Sequence, residues 1–588
     1  MEFAELILAP KVDNVILRGP FKMMVEGTLC TTGHHLILSG RKEGSQELWI
    51  LHKNIDYIER RPTVENNIVT GGVIVLKCKD LRMISLEIRS PSQFNNVATS
   101  IERLYALERV TQQYPFFYRP MYTILEDGYT IFRPESEFAK LLAGEDWRIT
   151  NVNKDFDVCP SYGPVLIVPK AITDEQIIQS AGFRDGGRFP ILSYRHENGA
   201  VLMRSAQPLT GPSIKRCRAD EAILNGLLIR STKGFIVDTW GKGKSNTEVD
   251  QHYSLWKKVN RSIGNVSSPS SILDSFSKLM EACNDTNCST DKWLSRLDNS
   301  GWLSLVLNSL NAACVVAQCL DQEGSPVLIH GAKGLDSTLI VTSLVQIILN
   351  PDCRTVRGIQ ALIEREWIQA GHPFATRHRY GCYAPSQSRP KTAGASFLLF
   401  LDCIYQLHYQ FPCSFEFCSQ LLIDLFEHSY CSQYGTFLCD SEKERVAAQV
   451  YRRTTSLWSY LNRPEILDTL LNPLYDPNPN VIWPSVAPIS IEVWNELYLR
   501  WQIDQTNAKE NRERIKALVT QEKELRSVVL KLRKQAADLE KELLERLKLE
   551  KESEQAEHDE KNREAIKLED HEEEKIKNNQ QSTALPLE

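Results

Sequence analysis

At 588 residues the chain is too long for one ordinary domain and implies three or four folding units. Apolar residues make up 42% and charged residues 24%, which excludes a disordered or low-complexity chain and allows a large core. The net charge of -6 resides in residues 551–588, which hold 6 Lys+Arg against 12 Asp+Glu. A neutral body with an acidic tail argues against nucleic acid as a partner, because phosphate neutralisation needs clustered Lys and Arg.

The start, Met1-Glu2-Phe3-Ala4-Glu5, lacks the basic head and apolar stretch of an export signal. Residues 1–110 read as several short strands closed by one helix. Glu26-Gly27-Thr28-Leu29-Cys30, a turn at Thr32-Gly33-His34 and Leu36-Ile37-Leu38 form a hairpin pattern. Glu47-Leu48-Trp49-Ile50-Leu51, Gly72-Val73-Ile74-Val75-Leu76-Lys77-Cys78 and Met83-Ile84-Ser85-Leu86-Glu87-Ile88 are further strands. Phe94, Val97, Ile101, Leu104 and Leu107 then recur at helical spacing. A small barrel of the pleckstrin-homology type is expected. It serves either as a lipid site or as a packing and protein-contact module, since Lys11, Arg18 and Lys22 are too scattered to decide.

Residues 111–503 mix short apolar strands (Val165-Leu166-Ile167-Val168, Phe235-Ile236-Val237, Pro326-Val327-Leu328-Ile329) with amphipathic helices, the signature of an α/β layered unit. The polar stretch 241–271 is expected to be a loop or disordered insert. From 508 glycine is absent and Glu, Lys, Arg, Gln and Leu dominate. With Ile515 at heptad position a, Glu522, Val529, Ala536 and Leu543 follow at a, while Leu518, Leu525, Leu532 and Leu539 fall at d. That seam predicts a coiled coil over 508–550; a helix folded back on the body is the alternative. Beyond Leu549 the seam lapses: residues 551–588 are expected to be a charged, partly disordered tail, with the run to Lys577 either solvated helix or disorder and the residues from Gln580 flexible.

The 15 cysteines contain no C-x-x-C pair. Cys283/Cys288, Cys314/Cys319 and Cys413/Cys418 are each five apart, yet no histidine pair completes a ligand set, so neither metal nor cofactor is expected. Unpaired thiols without an export signal point to the reducing cytosol. No window is expected to reach the roughly 18 apolar residues of a membrane span. The richest, Phe397-Leu398-Leu399-Phe400-Leu401, stops at Asp402, so at most the chain lies on a membrane surface.

The most informative stretch is Val327-Leu328-Ile329-His330-Gly331-Ala332-Lys333-Gly334-Leu335-Asp336-Ser337-Thr338, followed by a helix over 339–349. A buried strand, a glycine-containing loop and a helix N-terminus form a generic phosphate cradle. Neither this loop nor Trp240-Gly241-Lys242-Gly243-Lys244-Ser245 has the Walker A spacing. The loop resembles the active-site signature H-C-S-D-G-W-D-R-T of the myotubularin lipid phosphatases. His330, Gly334, Asp336 and Thr338 match, whereas Gly331, Ala332, Lys333, Leu335 and Ser337 stand at the places of Cys, Ser, Asp, Trp and Arg. Flanking segments are similar to the same family: Gly187-Arg188-Phe189-Pro190, Arg204-Ser205-Ala206-Gln207-Pro208, Arg354-Thr355-Val356-Arg357-Gly358, Leu362-Ile363-Glu364-Arg365-Glu366-Trp367, Gly371-His372-Pro373-Phe374, Phe400-Leu401-Asp402-Cys403, Phe411-Pro412-Cys413-Ser414-Phe415-Glu416-Phe417 and Gly435-Thr436-Phe437-Leu438. The family's glycine-rich stretch after Asp238-Thr239 is missing from 240–250.

The resemblance implies a multidomain α+β architecture: a PH-like GRAM barrel with a C-terminal helix, an α/β cysteine-phosphatase-like domain and a C-terminal coiled coil. It also implies the chemistry that is lost. A low-pKa thiolate attacks phosphorus, the loop arginine holds the phosphoryl oxygens, and an aspartate at the place of Asp336 protonates the leaving group. Gly331 offers no nucleophile, and Ser337 no guanidinium. The expectation is an inactive member that pairs, through its coiled coil, with active phosphatases acting on phosphatidylinositol 3-phosphate and phosphatidylinositol 3,5-bisphosphate. Self-pairing and a phosphoinositide membrane surface are further expected partners, with a cytoplasmic location peripheral to endosomal or other endomembranes. The loop itself is either a shallow anion site aided by Lys333 or a turn that the fold requires.

Overall fold

Seven strands, most with burial alternating along them, build the N-terminal sheet. β1 (Lys11–Arg18), β2 (Met24–Thr31), β3 (His35–Gly40), β4 (Leu48–Leu51), β5 (Ile55–Glu65), β6 (Ile68–Cys78) and β7 (Met83–Ile88) pair antiparallel in the order β4-β3-β2-β1-β7-β6-β5. Leu29, Leu36, Leu38, Ile74, Leu76, Ile84 and Leu86 point inward at period 2. The inner face is covered by α1 (Pro91–Tyr105), which opens with Ser90 accepting from Gln93 N and Pro91 in its first turn. Phe94, Val97, Ala98 and Ile101 of α1 complete this core. Gly72 lets α1 approach closely, because a Cβ there would stand 2.6 Å from the Phe94 ring. The barrel is an open one, with β4 and β5 as its edges. The computed structural model describes residues 2–40, 47–142, 146–210, 215–230, 233–239, 251–260, 268–503 and 506–580.

This sheet is docked on the next domain through buried polar contacts. Asp56 accepts from the backbone N–H groups of Gly381 (2.6 Å), Tyr383 (2.8 Å) and Ala384 (2.9 Å). Lys79 donates to the His378 carbonyl (3.2 Å), and the Asp80 carbonyl accepts from Arg500 and Trp501.

The central domain is organised on β10 (Ile191–Arg195), β11 (Val201–Ala206), β12 (Gly234–Asp238), β13 (Trp256–Asn260) and β14 (Val327–Gly331), in the order β10-β11-β14-β12-β13. Only β10 runs antiparallel. A side ribbon pairs β8 (Trp147–Thr150) with β9 (Leu166–Pro169). β14 lies between β11 and β12 and is buried at all five positions, which explains its unbroken apolar run. The helices Trp302–Asp321, Ser337–Leu349 and Ser396–Gln410 pack into one core with the sheet.

Two expectations are corrected here. The stretch 241–271 is not wholly a loop. Trp256–Asn260 is a strand that pairs in parallel with β12, and the helix Pro269–Asn284 begins before the stretch ends. Residues 241–250 and 261–267 lie outside the described residues, as does nearly all of the missing glycine-rich segment. An apolar segment of membrane-spanning length also exists: Trp302–Asp321 is long and apolar enough by composition. It is a core helix instead, with Leu305, Val306, Leu310, Val316 and Leu320 buried and the Trp302 indole donating to Asp402 at 2.7 Å.

The second unit, Asn507–Glu588, consists in its described part of the helix Thr506–Gln580, 75 residues without a break. Residues 551–580 continue the helix, so of the two forms expected for the charged run it takes the solvated helix. Glu, Lys and Arg have high helix propensity, no glycine interrupts the run, and Pro586 is its only proline. Pairs such as Glu542–Arg546 add i,i+4 support. Residues 581–588 lie outside the described residues.

Candidate functional site

The C-terminal ends of β11, β14 and β12 converge where the strand order leaves the central strand on both sides, the usual place for a site in an open parallel sheet. β14 ends at Gly331, and the helix Ser337–Leu349 starts six residues later. Gly334 makes the turn at φ +65°, and a Cβ there would stand 2.7 Å from the Ser205 carbonyl oxygen.

Nearly every polar group of the loop is engaged. The Ala332 carbonyl accepts from Gln207 N (3.1 Å), the Gly334 carbonyl from Arg188 (2.8 Å) and the Leu335 carbonyl from His372 Nδ1 (2.7 Å). Arg188 is itself buried over the Tyr162 ring and donates to Ser161 and the Ala370 carbonyl as well. Ser337 Oγ and Thr239 Oγ1 share a 2.9 Å hydrogen bond, and Thr239 N donates to the His330 carbonyl (2.9 Å). His330 Nδ1 and Thr338 Oγ1 are buried with no partner among the described residues. Burial holds His330 and His372 neutral at pH 7, each lowered to about 4. Lys333 is exposed.

Asp336 is clamped. Arg377 meets it with two hydrogen bonds, Nε to Oδ1 at 2.9 Å and Nη2 to Oδ2 at 2.8 Å, and Ser396 donates to Oδ1 at 2.8 Å. Burial pushes its pKa up, but the Arg377 guanidinium outweighs that and holds the carboxyl down at about 2. At neutral pH it is a carboxylate with no proton to give.

Position 331 is crowded. A Cβ built on Gly331 would lie 2.8 Å from Thr239 Oγ1, 2.9 Å from Ser337 Oγ and 3.0 Å from Thr338 Oγ1. Three hydroxyls thus fill the space into which a side chain at this position would project.

The structure brings His330, Gly331, Ala332, Gly334, Leu335, Asp336, Ser337 and Thr338 into one buried or half-buried turn and leaves Lys333 on its rim. Sequence reasoning quoted Arg188 and His372 only as parts of similar segments, and it missed Arg377 and Thr239 as loop partners. Nothing in their local sequence marks them, since Arg377 is 41 positions from Asp336 and Thr239 is 98 from Ser337. Among the described residues no group of three or more His, Cys, Asp or Glu is arranged to hold a metal ion.

The seam residues of the long helix are exposed. Leu518, Leu525, Leu532 and Leu539 each leave more than half of their surface uncovered, and Ile515, Val529, Ala536 and Leu543 are exposed with them.

A strand–loop–helix turn on a mostly parallel sheet, behind a PH-like module, is the architecture of a phosphatase-like domain. Residues 113–446 match the Myotubularin-like phosphatase domain, and residues 11–105 match the GRAM domain of MTMR6-9. The chain belongs to the myotubularin family. It is 49% identical over 553 residues to Myotubularin-related protein 9 of Bos taurus, covering 92% of this chain and 99% of that one. Myotubularin-related protein 9 of Caenorhabditis elegans is 40% identical over 568 residues, 92% of this chain and 99% of its own. Phosphatidylinositol-3-phosphate phosphatase MTMR7 of Homo sapiens is 33% identical over 524 residues, covering 85% and 77% respectively.

Proposed function

We propose that this chain is a pseudophosphatase: a regulatory subunit that binds an active myotubularin-family phosphoinositide 3-phosphatase through the helix Thr506–Gln580 and raises its stability, activity or localisation. The observation that carries the reading is the occupied space at Gly331. Hydroxyls stand where a nucleophile's side chain would project, and Ser337, in the arginine's place, is tied to Thr239. The clamp on Asp336 removes the remaining acid. Loss of a nucleophile and of a transition-state cation each costs several powers of ten, and the losses within one catalytic unit are not additive.

The exposed leucine seam supports the partner role, because such a row buries apolar area only against another helix. That relatives of this chain are named as phosphatidylinositol-3-phosphate and phosphatidylinositol-3,5-bisphosphate phosphatases supports that chemical class for the proposed partner. Two measurements test the reading. The purified chain, made in a host without myotubularins, releases no phosphate from either lipid; turnover there sinks the proposal. Affinity purification of the intact chain brings down an active phosphatase, and deletion of 508–550 removes it.

A second reading, a standalone membrane adaptor, is favoured by one feature. Phe21, Met23 and Met24 are 53%, 39% and 64% exposed at the β1–β2 connection, beside Lys22. Flotation of the full chain with phosphoinositide vesicles, lost in Phe21→Ser, would support this reading and a peripheral endomembrane location.

A further inference from the structure

The helix Thr506–Gln580 carries its seam from Ile515 to Leu543, and eight of the nine a and d positions there are apolar. The ninth is Glu522. Leu518 and Leu525 stand one layer to either side of it, 56% and 57% exposed. Any helix that covers these leucines also covers the side chain between them. In the free helix the Glu522 carboxylate meets Arg526 one turn on, with the two side chains 49% and 79% exposed. So exposed a pair contributes little and does not offset the burial of a carboxylate.

Pairing with a second copy serves Glu522 badly in either direction. In a parallel, in-register pair each a layer meets its own kind, so two Glu522 carboxylates share one layer between leucines. Like charges confined together disfavour that pair. In an antiparallel pair an a position meets a d position. Every d position of the seam is leucine, which leaves the carboxylate without a partner. The flanks agree. In a parallel pair a g residue faces the e residue of the next heptad on the other helix. Gln521 then faces Arg526, Val528 faces Arg533, Gln535 faces Glu540 and Glu542 faces Leu547. Four charges meet four neutral residues, and self-pairing joins no opposite charges across this part of the seam.

We propose that Glu522 sets partner choice on this helix: it disfavours a second copy and selects a different chain whose parallel helix places Lys or Arg in the facing a layer. The inference rests on the pairing role proposed above and narrows the partner that fits it. A Glu–Lys or Glu–Arg layer neutralises the buried carboxylate with a charge-assisted hydrogen bond, which neither direction of self-pairing supplies. By the same complementarity the partner's flanks are acidic opposite Arg526 and Arg533 and basic opposite Glu540 and Glu542.

A charge swap within this chain tests the layer without any phosphatase. Full-length wild type and full-length Glu522→Lys are compared by sedimentation velocity, each alone and as an equimolar mixture. The mixture forms a mixed dimer at least about tenfold tighter than either self-pair, because only there does a carboxylate face an ammonium. Adding Leu525→Glu to the Glu522→Lys chain removes the mixed dimer, which assigns it to the seam. A second variant asks the converse. Glu522→Leu completes the apolar row and self-associates at least about tenfold more tightly than wild type. Circular dichroism checks that each variant keeps its helix. A mixture no more associated than its parts, or wild type self-pairing as tightly as Glu522→Leu, overturns the proposal. Mixed dimers that form while no active phosphatase co-purifies with the wild-type chain uphold the role of Glu522 and sink only the partner role on which it rests.

Discussion

The loop over residues 330–338 and the helix Thr506–Gln580 differ in how far their own chain satisfies them. In the loop, the carbonyls of Ala332, Gly334 and Leu335 have donors, Ser337 has Thr239, and Asp336 has a guanidinium and a hydroxyl. The helix offers the reverse: a row of leucines uncovered along one side of an element about 110 Å long. Hydrogen-bonded closure leaves a turn little to offer a ligand, while exposed apolar surface gains from every contact that removes it from water. The contrast supports the proposed reading, in which the helix recognises a partner and the turn serves as architecture.

The comparison breaks most easily at the seam. Burying a leucine contributes about 1.5–3 kcal/mol, so Leu525→Glu with Leu532→Glu weakens association with the active phosphatase by on the order of a hundredfold or more. Surface plasmon resonance with the captured partner reads this directly. Unchanged affinity would move the interface elsewhere.

On the loop side the largest effect belongs to Arg377. Arg377→Met leaves the Asp336 carboxylate buried without its cation, which costs about 3–5 kcal/mol and lowers the unfolding temperature measurably. The pH dependence has a definite sign. The folded Asp336 carboxyl sits at about 2, below the ordinary value of about 3.9, so its contribution is complete above the unfolded pKa. It is lost as pH falls through about 2. Chemical denaturation of wild type and Asp336→Asn at pH 7 should differ by about 2–3 kcal/mol. That gap should close towards pH 2; a constant gap would mean that Asp336 does not act through its charge.

Gly331 comes next. Gly331→Cys forces a Cβ against three hydroxyls and destabilises by about 1–3 kcal/mol. Ser337→Ala in the same background recovers part of that loss, because it removes one of the three contacts. A double-mutant cycle on the unfolding midpoints measures the coupling. Strict additivity would show that the crowding is relieved some other way.

What the sequence revealed and what it hid follow from the range of the interactions. Alternating burial in β2, β3, β4, β6 and β7 and the unbroken apolar run of β14 are local patterns, legible because each strand's environment repeats along it. β1, with its register shift between Val12 and Val15, and β5, exposed on both faces beyond Glu59, carry no such repeat and are missing from the sequence reading. The degenerate loop was legible as a contiguous string. Its partners were not: Arg377 reaches Asp336 and Arg188 reaches Gly334 through the folded chain, and no periodicity announces either. Trp302–Asp321 was underestimated because Asn308, Asn311 and Gln318 interrupt a helix that is nonetheless apolar over its length. For the run over 551–577 the lapsed seam leaves solvated helix and disorder both open in the sequence; helix propensity and charge pairing need no seam, and the chain is helical there.

The smallest predicted effect is the most pointed for the loop. Lys333 is the one basic residue of the stretch 330–338 and stands exposed on the rim. If the turn bound an anion, this side chain would steer and hold it, and its removal would cut binding several-fold. If the turn is retained as structure, Lys333→Ala shifts stability by less than about 0.5 kcal/mol, as surface substitutions do. It also leaves vesicle flotation and partner association where they were. We expect that second outcome, read by unfolding temperature and flotation on the same preparations. A loss of flotation confined to Lys333→Ala would return a binding role to the loop and weaken its contrast with the helix.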